Sequence, residues 1–134
     1  SKHDLSFRVC GGHEEGARAA TKILQASFPN LEMLELSSNE RYRAAERVVL
    51  LKGGDAIVAA VVQLHVKRSV MELPLFAAAK AFRRQRYGSV LTALLWGLCR
   101  QLGVRTIAVS ATEESREFWA KQGCAVVSSC RGGR

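Results

Sequence analysis

Residues 83–102 read Arg83-Arg84-Gln85-Arg86-Tyr87-Gly88-Ser89, followed directly by Val90-Leu91-Thr92-Ala93-Leu94-Leu95-Trp96-Gly97-Leu98-Cys99-Arg100-Gln101-Leu102. The first seven form a basic loop with one glycine. In the remainder, Val90, Leu91, Leu94, Leu95, Leu98 and Leu102 recur at the spacing of one buried helix face, which predicts a helix over 89–102. A helix start leaves backbone N–H groups unpaired and carries the positive end of the macrodipole, so it can receive an anion. Beside those groups stand the cationic or amide side chains of Arg83, Arg84, Gln85 and Arg86. A phosphate-bearing ligand is the natural reading. A solvated basic loop ahead of a core helix accounts for the same residues equally well.

Upstream, 47–51 reads as a strand, Lys52-Gly53-Gly54-Asp55 as a turn, and 56–66 as a longer strand that is almost wholly apolar. A strand of that kind is buried on both faces, so helices must pack above and below the sheet. After a turn at 67–69, a third strand covers 70–79 and contains Pro74. Proline donates nothing to a ladder, so this strand is bulged or splayed there. Downstream, Gly103 suits a left-handed helix cap, and 106–110 forms a strand. It follows a strand–helix crossover and so should run parallel to 70–79. Ser110 and Thr112 are candidate caps for a short helix ending at Lys121, and 125–128 begins a last strand.

At the amino end, 5–10 alternates with Leu5, Phe7 and Val9 on one face, and 14–28 turns helical with Ala17, Ala20, Ile23, Leu24 and Phe28 inward. The segment 31–45 reads as a short second helix or a loop covering a cleft. The resulting order, β-α-(α)-β-β-β-α-β-α-β, gives an α/β domain with a mixed central sheet flanked by helices on both faces.

The 134 residues make one domain, 1–134, and the abrupt ends at Ser1 and Arg131-Gly132-Gly133-Arg134 suggest a piece of a longer protein. A net charge of +8 attracts polyanions: a nucleotide-bearing cofactor, nucleic acid or an acidic protein face. There is little aromatic interleaving among the cations, so nucleic-acid binding is left open but not indicated. No apolar run is long enough to cross a bilayer, and no membrane partner is expected. Cys10, Cys99, Cys124 and Cys130 lack metal-ligand spacing and read as buried free thiols; His3, His13 and His65 make no cluster with them, and no metal site is expected.

The element order, with a basic phosphate loop after the fourth strand, resembles the GNAT superfamily of acyl-coenzyme-A-dependent N-acetyltransferases. The superfamily's Gln/Arg-x-x-Gly-x-Gly/Ala loop is similar to Arg83-Arg84-Gln85-Arg86-Tyr87-Gly88, with Arg86 in place of the middle glycine. Its Phe-Tyr-x-Lys-x-Gly-Phe segment is similar to Phe118-Trp119-Ala120-Lys121-Gln122-Gly123-Cys124, with Trp119 for the tyrosine and Cys124 for the last phenylalanine. Met71-Glu72-Leu73-Pro74-Leu75-Phe76 is most similar to the transcriptional histone acetyltransferases and to the related domain that accompanies PHD fingers in plants. In those proteins a glutamate on the fourth strand precedes the loop by the separation of Glu72 from Arg83.

The resemblance implies acetyl-CoA as cofactor and a protein lysine as acceptor, on a histone or another chromatin protein, with transfer made directly to the amine. It further implies a nuclear setting and a larger parent chain or complex. Glu72 would be the general base, because a carboxylate among apolar strand residues is disfavoured in its charged form and gains strength as a base. Taken by itself, Glu72 reads as a strand glutamate facing solvent or an arginine. Backbone N–H groups at Phe76, Ala77 and Ala78 would hold the acetyl carbonyl and the pantetheine arm. Arg83, Arg84, Gln85, Arg86, Tyr87, Gly88 and Ser89 would cradle the diphosphate, and Trp119 would stand where many relatives place the acid that protonates the leaving thiolate. Because an indole cannot serve as that acid and Arg86 crowds the loop, two other readings stand beside this one. One is a catalytically weak or inactive domain used for coenzyme A sensing or protein assembly; the other is an acetyltransferase for a small amine.

Overall fold

A computed structural model describes residues 5–10, 15–28, 46–83, 85–111 and 115–129. Its organising element is strand β3, Asp55–His65. Ile57 to Val62 are six apolar residues in succession, and all are buried. Val58, Ala60 and Val62 enter one core layer, while Ala59 and Val61 enter the other, as the two-residue strand period requires.

Around it the order is β1 (Leu5–Cys10), α1 (Glu15–Ser27), β2 (Glu46–Lys52), β3, β4 (Val70–Ala78), α2 (Tyr87–Leu102), β5 (Thr106–Ala111), α3 (Arg116–Lys121) and β6 (Ala125–Ser129). The strands form one sheet in the order β1-β2-β3-β4-β5-β6. The first four are antiparallel; β4–β5 and β5–β6 are parallel, as a crossover through α2 dictates. Helix α1 packs Ala20, Ile23 and Leu24 on one face of the sheet. Helices α2 and α3 pack Leu91, Leu95, Cys99 and Trp119 on the other. The segment 31–45, read as a helix or loop, lies outside the described residues, as do Arg84, Thr112 and Cys130. Among the described residues no helix is long and apolar enough to cross a membrane.

Three details depart from the sequence expectation. Helix α2 begins at Tyr87 rather than at 89, so Gly88 and Ser89 lie in its first turn. Its fully buried row is Leu91, Leu95 and Cys99 with Thr92, whose hydroxyl donates to Gly88 O at 2.8 Å, while Val90, Leu94 and Leu98 pack partly buried against the same core as expected. Leu102, at the helix end beside the left-handed Gly103, is 52% exposed. Strand β1 is an edge strand, and only Phe7 of its three expected inward residues packs against the core; Leu5 and Val9 are exposed.

Cys10, Cys99 and Cys124 are buried free thiols. Desolvation pushes the Cys124 thiol from its ordinary 9.0 up to about 11, with the nearby Cys99 adding to the rise. A thiol whose pKa is raised by folding contributes stability that is complete below its unfolded value and lost as pH climbs through the folded one. Denaturant midpoints measured in reductant should therefore fall between about pH 9 and 11, and Cys124→Ala should flatten that fall.

Candidate functional site

Strand β4 carries the bulge expected at Pro74. Leu75 pairs with Val61 and Glu72 with Gln63, so three steps along β4 match two along β3. Met71 and Leu73 therefore face the α2 side, while Leu75 and Ala77 face α1. On its other edge β4 pairs with β5 from Val70↔Thr106 to Leu73↔Val109 and no further. Beyond that point the two strands separate. A cleft of about 820 Å³ opens between them, floored by Leu73, Phe76, Phe118 and Trp119 and reaching Gly88 and Ser89 at the start of α2.

Backbone alternation decides which amides serve this cleft. Ala79 N donates to Ile57 O at 2.7 Å, so Ala77 and Leu75 likewise turn their amides towards β3. Phe76 and Ala78 turn theirs to the side where β5 has left. Phe76, Ala77 and Ala78 all line the cleft, but Ala77 turns its amide to β3 and its methyl into the α1-side core.

The aromatic floor is held by edge-to-face contacts: Phe76 meets Trp119 at 4.8 Å between centroids, and Phe118 meets Trp119 at 4.8 Å. Trp119 is buried. Gly88 lies directly above, where an added Cβ would stand 3.5 Å from both Phe118 and Phe76.

The basic loop has specific tasks. Arg83 donates from Nη2 to Ser27 Oγ at 2.8 Å and from Nε to Ala78 O at 3.3 Å, tying the end of β4 to the end of α1 at the cleft rim. Gln85 turns away from the cleft and donates to Ala81 O at 3.1 Å. Tyr87 lines the cleft, and its hydroxyl accepts from Lys52 Nζ at 2.8 Å. The ammonium stands 5.3 Å from the ring centroid, so it approaches along the ring edge as a hydrogen-bond donor rather than over the face. Ser89 Oγ accepts from Gln122 Nε2 at 3.1 Å, which joins the first turn of α2 to the chain just after α3.

Arg86 caps α2 with φ 67° and ψ 11°, a left-handed conformation that costs an L-residue about 1–2 kcal/mol. Its side chain is exposed and borders the cleft. Glycine adopts this conformation freely but loses more entropy on folding. Arg86→Gly is thus expected to stabilise the domain by about 1 kcal/mol, raising Tm by roughly 3–5 °C in a thermal melt.

Glu72 lies one residue before the cleft lining begins, on the α1 face, half-buried. Its Oε1 accepts from His65 Nε2 at 3.1 Å. His65, Lys52, Ser27, Phe118 and Gln122 were not singled out by their sequence positions. The place of His65 beside Glu72 follows from the observed register, in which His65 pairs with Val70 and Gln63 with Glu72.

The sequence profile of the family described as "Increased DNA methylation 1, C-terminal domain" matches residues 28–126. The chain belongs to that family. No curated protein matches the sequence. Its fold is the GNAT N-acetyltransferase fold. A putative N-acetyltransferase from Lactobacillus plantarum superposes at TM-score 0.72 with 18% identity, over 89% of this chain and 83% of that one. The catalytic domain of a Tetrahymena histone acetyltransferase in complex with coenzyme A gives 0.67 at 17% identity, over 92% and 78%. An aminoglycoside acetyltransferase from an uncultured soil metagenomic sample gives 0.72 at 11% identity, over 95% and 92%.

Proposed function

We propose that this domain is an acetyl-CoA-dependent N-acetyltransferase that modifies a protein lysine, on a histone or another chromatin protein in the nucleus, by direct transfer with Glu72 as general base. The observation that carries the reading is the parting of β4 and β5 beyond Leu73↔Val109, which opens a cleft from Leu73, the residue after Glu72, past outward-turned strand amides to the mouth of α2. These residues fit the cofactor. An aromatic and aliphatic floor suits a pantetheine arm, strand amides suit its carbonyl groups, and a helix start bordered by Arg83 and Arg86 suits a diphosphate.

When bound, acetyl-CoA would supply the acetyl group as an activated thioester, with the coenzyme's thiolate as the leaving group. A lysine amine has a pKa near ~10.4 and must lose a proton before it can attack. Glu72 takes that proton onto its carboxylate. The Phe76 and Ala78 amides present donors to an oxygen on which charge grows, and one such donor typically contributes about 10²–10³ in rate. Trp119 acts as a wall rather than an acid, fixed between Phe76 and Phe118.

The left-handed Arg86 at the mouth favours a second reading, a domain that binds coenzyme A or a protein partner without turnover. A small amine as acceptor is the third. Calorimetry with acetyl-CoA, followed by mass spectrometry of lysine peptides, polyamines and aminoglycosides, separates them. Acetylated lysine peptides are expected. Failure of acetyl-CoA to bind would end both enzymatic readings, and binding without turnover would favour the second. Activity confined to small amines would favour the third.

Gly88 gives a steric check on the cleft itself. Gly88→Ala places its Cβ at ordinary contact distance and should bind coenzyme A within a few-fold of the parent. Gly88→Leu projects further into the same space. Overpacking of about 1–3 kcal/mol corresponds to a roughly 5- to 150-fold weaker Kd by calorimetry.

A further inference from the structure

We infer that His65 is the positioning residue for Glu72, fixing the carboxylate through its Nε2–H so that it is oriented to accept the substrate's proton. This rests on the reading of Glu72 as general base and adds a residue to that site. Glu72 and His65 share the α1 face as diagonal neighbours, since Gln63 pairs with Glu72 and His65 with Val70. An ionised carboxylate only accepts, so the 3.1 Å contact between His65 Nε2 and Glu72 Oε1 assigns the proton to Nε2. That leaves Nδ1 as the imidazole's second, acceptor nitrogen.

The hairpin holds His65 where this bond requires it. His65 is the last residue of β3 and enters a 3-10 turn at Val66–Arg68, which Ser69 closes in the left-handed conformation at φ 59°. Ser69 is itself fastened: its Oγ donates to Gly103 O at 3.1 Å and accepts from Arg105 N at 2.9 Å. The imidazole is thus attached to the same frame that sets the start of β5. A glutamate side chain otherwise has several rotamers to lose, worth up to about 1.5–2 kcal/mol. A general base works only within hydrogen-bond reach of its proton, and a misplacement of about 1 Å can cost on the order of 10²-fold in rate. The bond to His65 uses one of the carboxylate's roughly four acceptor sites.

The test compares His65→Gln, His65→Ala and Glu72→Gln in the intact domain, with a lysine peptide as acceptor. His65→Gln is expected to lower kcat by about 10- to 100-fold, with the KM values and the Kd for coenzyme A unchanged. Added imidazole should restore part of the rate to His65→Ala, which repair of a merely structural defect would not do. In nitrogen-resolved NMR of the cofactor-free domain, His65 should show the Nε2–H tautomer, and Glu72→Gln should shift its ring signals. If Glu72→Gln loses activity while His65→Gln keeps the parent kcat within twofold, this inference falls and the base assignment stands. If Glu72→Gln is as active as the parent, both fall. Ring signals of His65 that ignore Glu72→Gln would also overturn the inference, whatever the turnover.

Discussion

Glu72→Gln is expected to lower lysine acetylation by about 10²- to 10⁴-fold at neutral pH while leaving the Kd for coenzyme A unchanged. Glutamine keeps the size of the side chain and a carbonyl oxygen for His65, so the strand and its neighbours are undisturbed. What it removes is the capacity to hold a proton. At neutral pH the acceptor amine lies about three units below its pKa near ~10.4, and the small neutral fraction must then react unaided. The variant has a second signature. As pH rises towards that value the amine deprotonates in solution, so the gap between parent and variant should narrow. A gap that stays constant with pH would mean that Glu72 has another role. Initial rates from about pH 7 to pH 10, with calorimetry at each end, decide between them. Glu72 lies one residue before the cleft lining, so an altered Kd for coenzyme A would also argue against this placement.

The parts of the fold that were legible in the sequence are those where one physical constraint dominates. The run from Ile57 to Val62 leaves no polar face, so it had to be a strand covered on both sides, and α1 and α2 supply the cover. Pro74 cannot donate to a ladder, and the register slips there. Where two constraints compete, the sequence misleads. Arg86 adopts a left-handed cap that glycine would have announced, and so the true start of α2 at Tyr87 was placed two residues late. Leu5 and Val9 alternate as an inward face should, yet on this edge strand they are exposed. The Ala77 amide was expected in the cleft with those of Phe76 and Ala78, but successive amides of a paired strand turn to opposite sides. A one-residue difference in register decides which amides turn outward. The pairing of His65 with Glu72 needed that same register.

Leu95→Ala should destabilise the domain by about 2–5 kcal/mol and, unlike Glu72→Gln, should do so without altering the site. Leu95 is fully buried at the centre of α2, between Leu91 and Cys99, against the core that includes Val58, Ala60 and Leu73. Removing its branched end opens a cavity that the flat surface of the sheet is poorly able to fill. Against a typical total of about 5–15 kcal/mol this is a large share, and the urea midpoint should fall without a change in slope. The ligand then acts as a control. Coenzyme A at about 100 times its Kd stabilises a folded state that alone binds it by about 2.7 kcal/mol. Leu95 is absent from the cleft lining, so this increment should be equal in parent and variant, because distant independent changes add. An increment smaller in the variant by more than about 0.5 kcal/mol would mean that the first turn of α2 shifts when the middle of the helix loses its packing. The helix mouth and the core under it would then be one mechanical unit, and the diphosphate site would depend on the burial of Leu95 as much as on Arg83, Arg86 and the amides that face it.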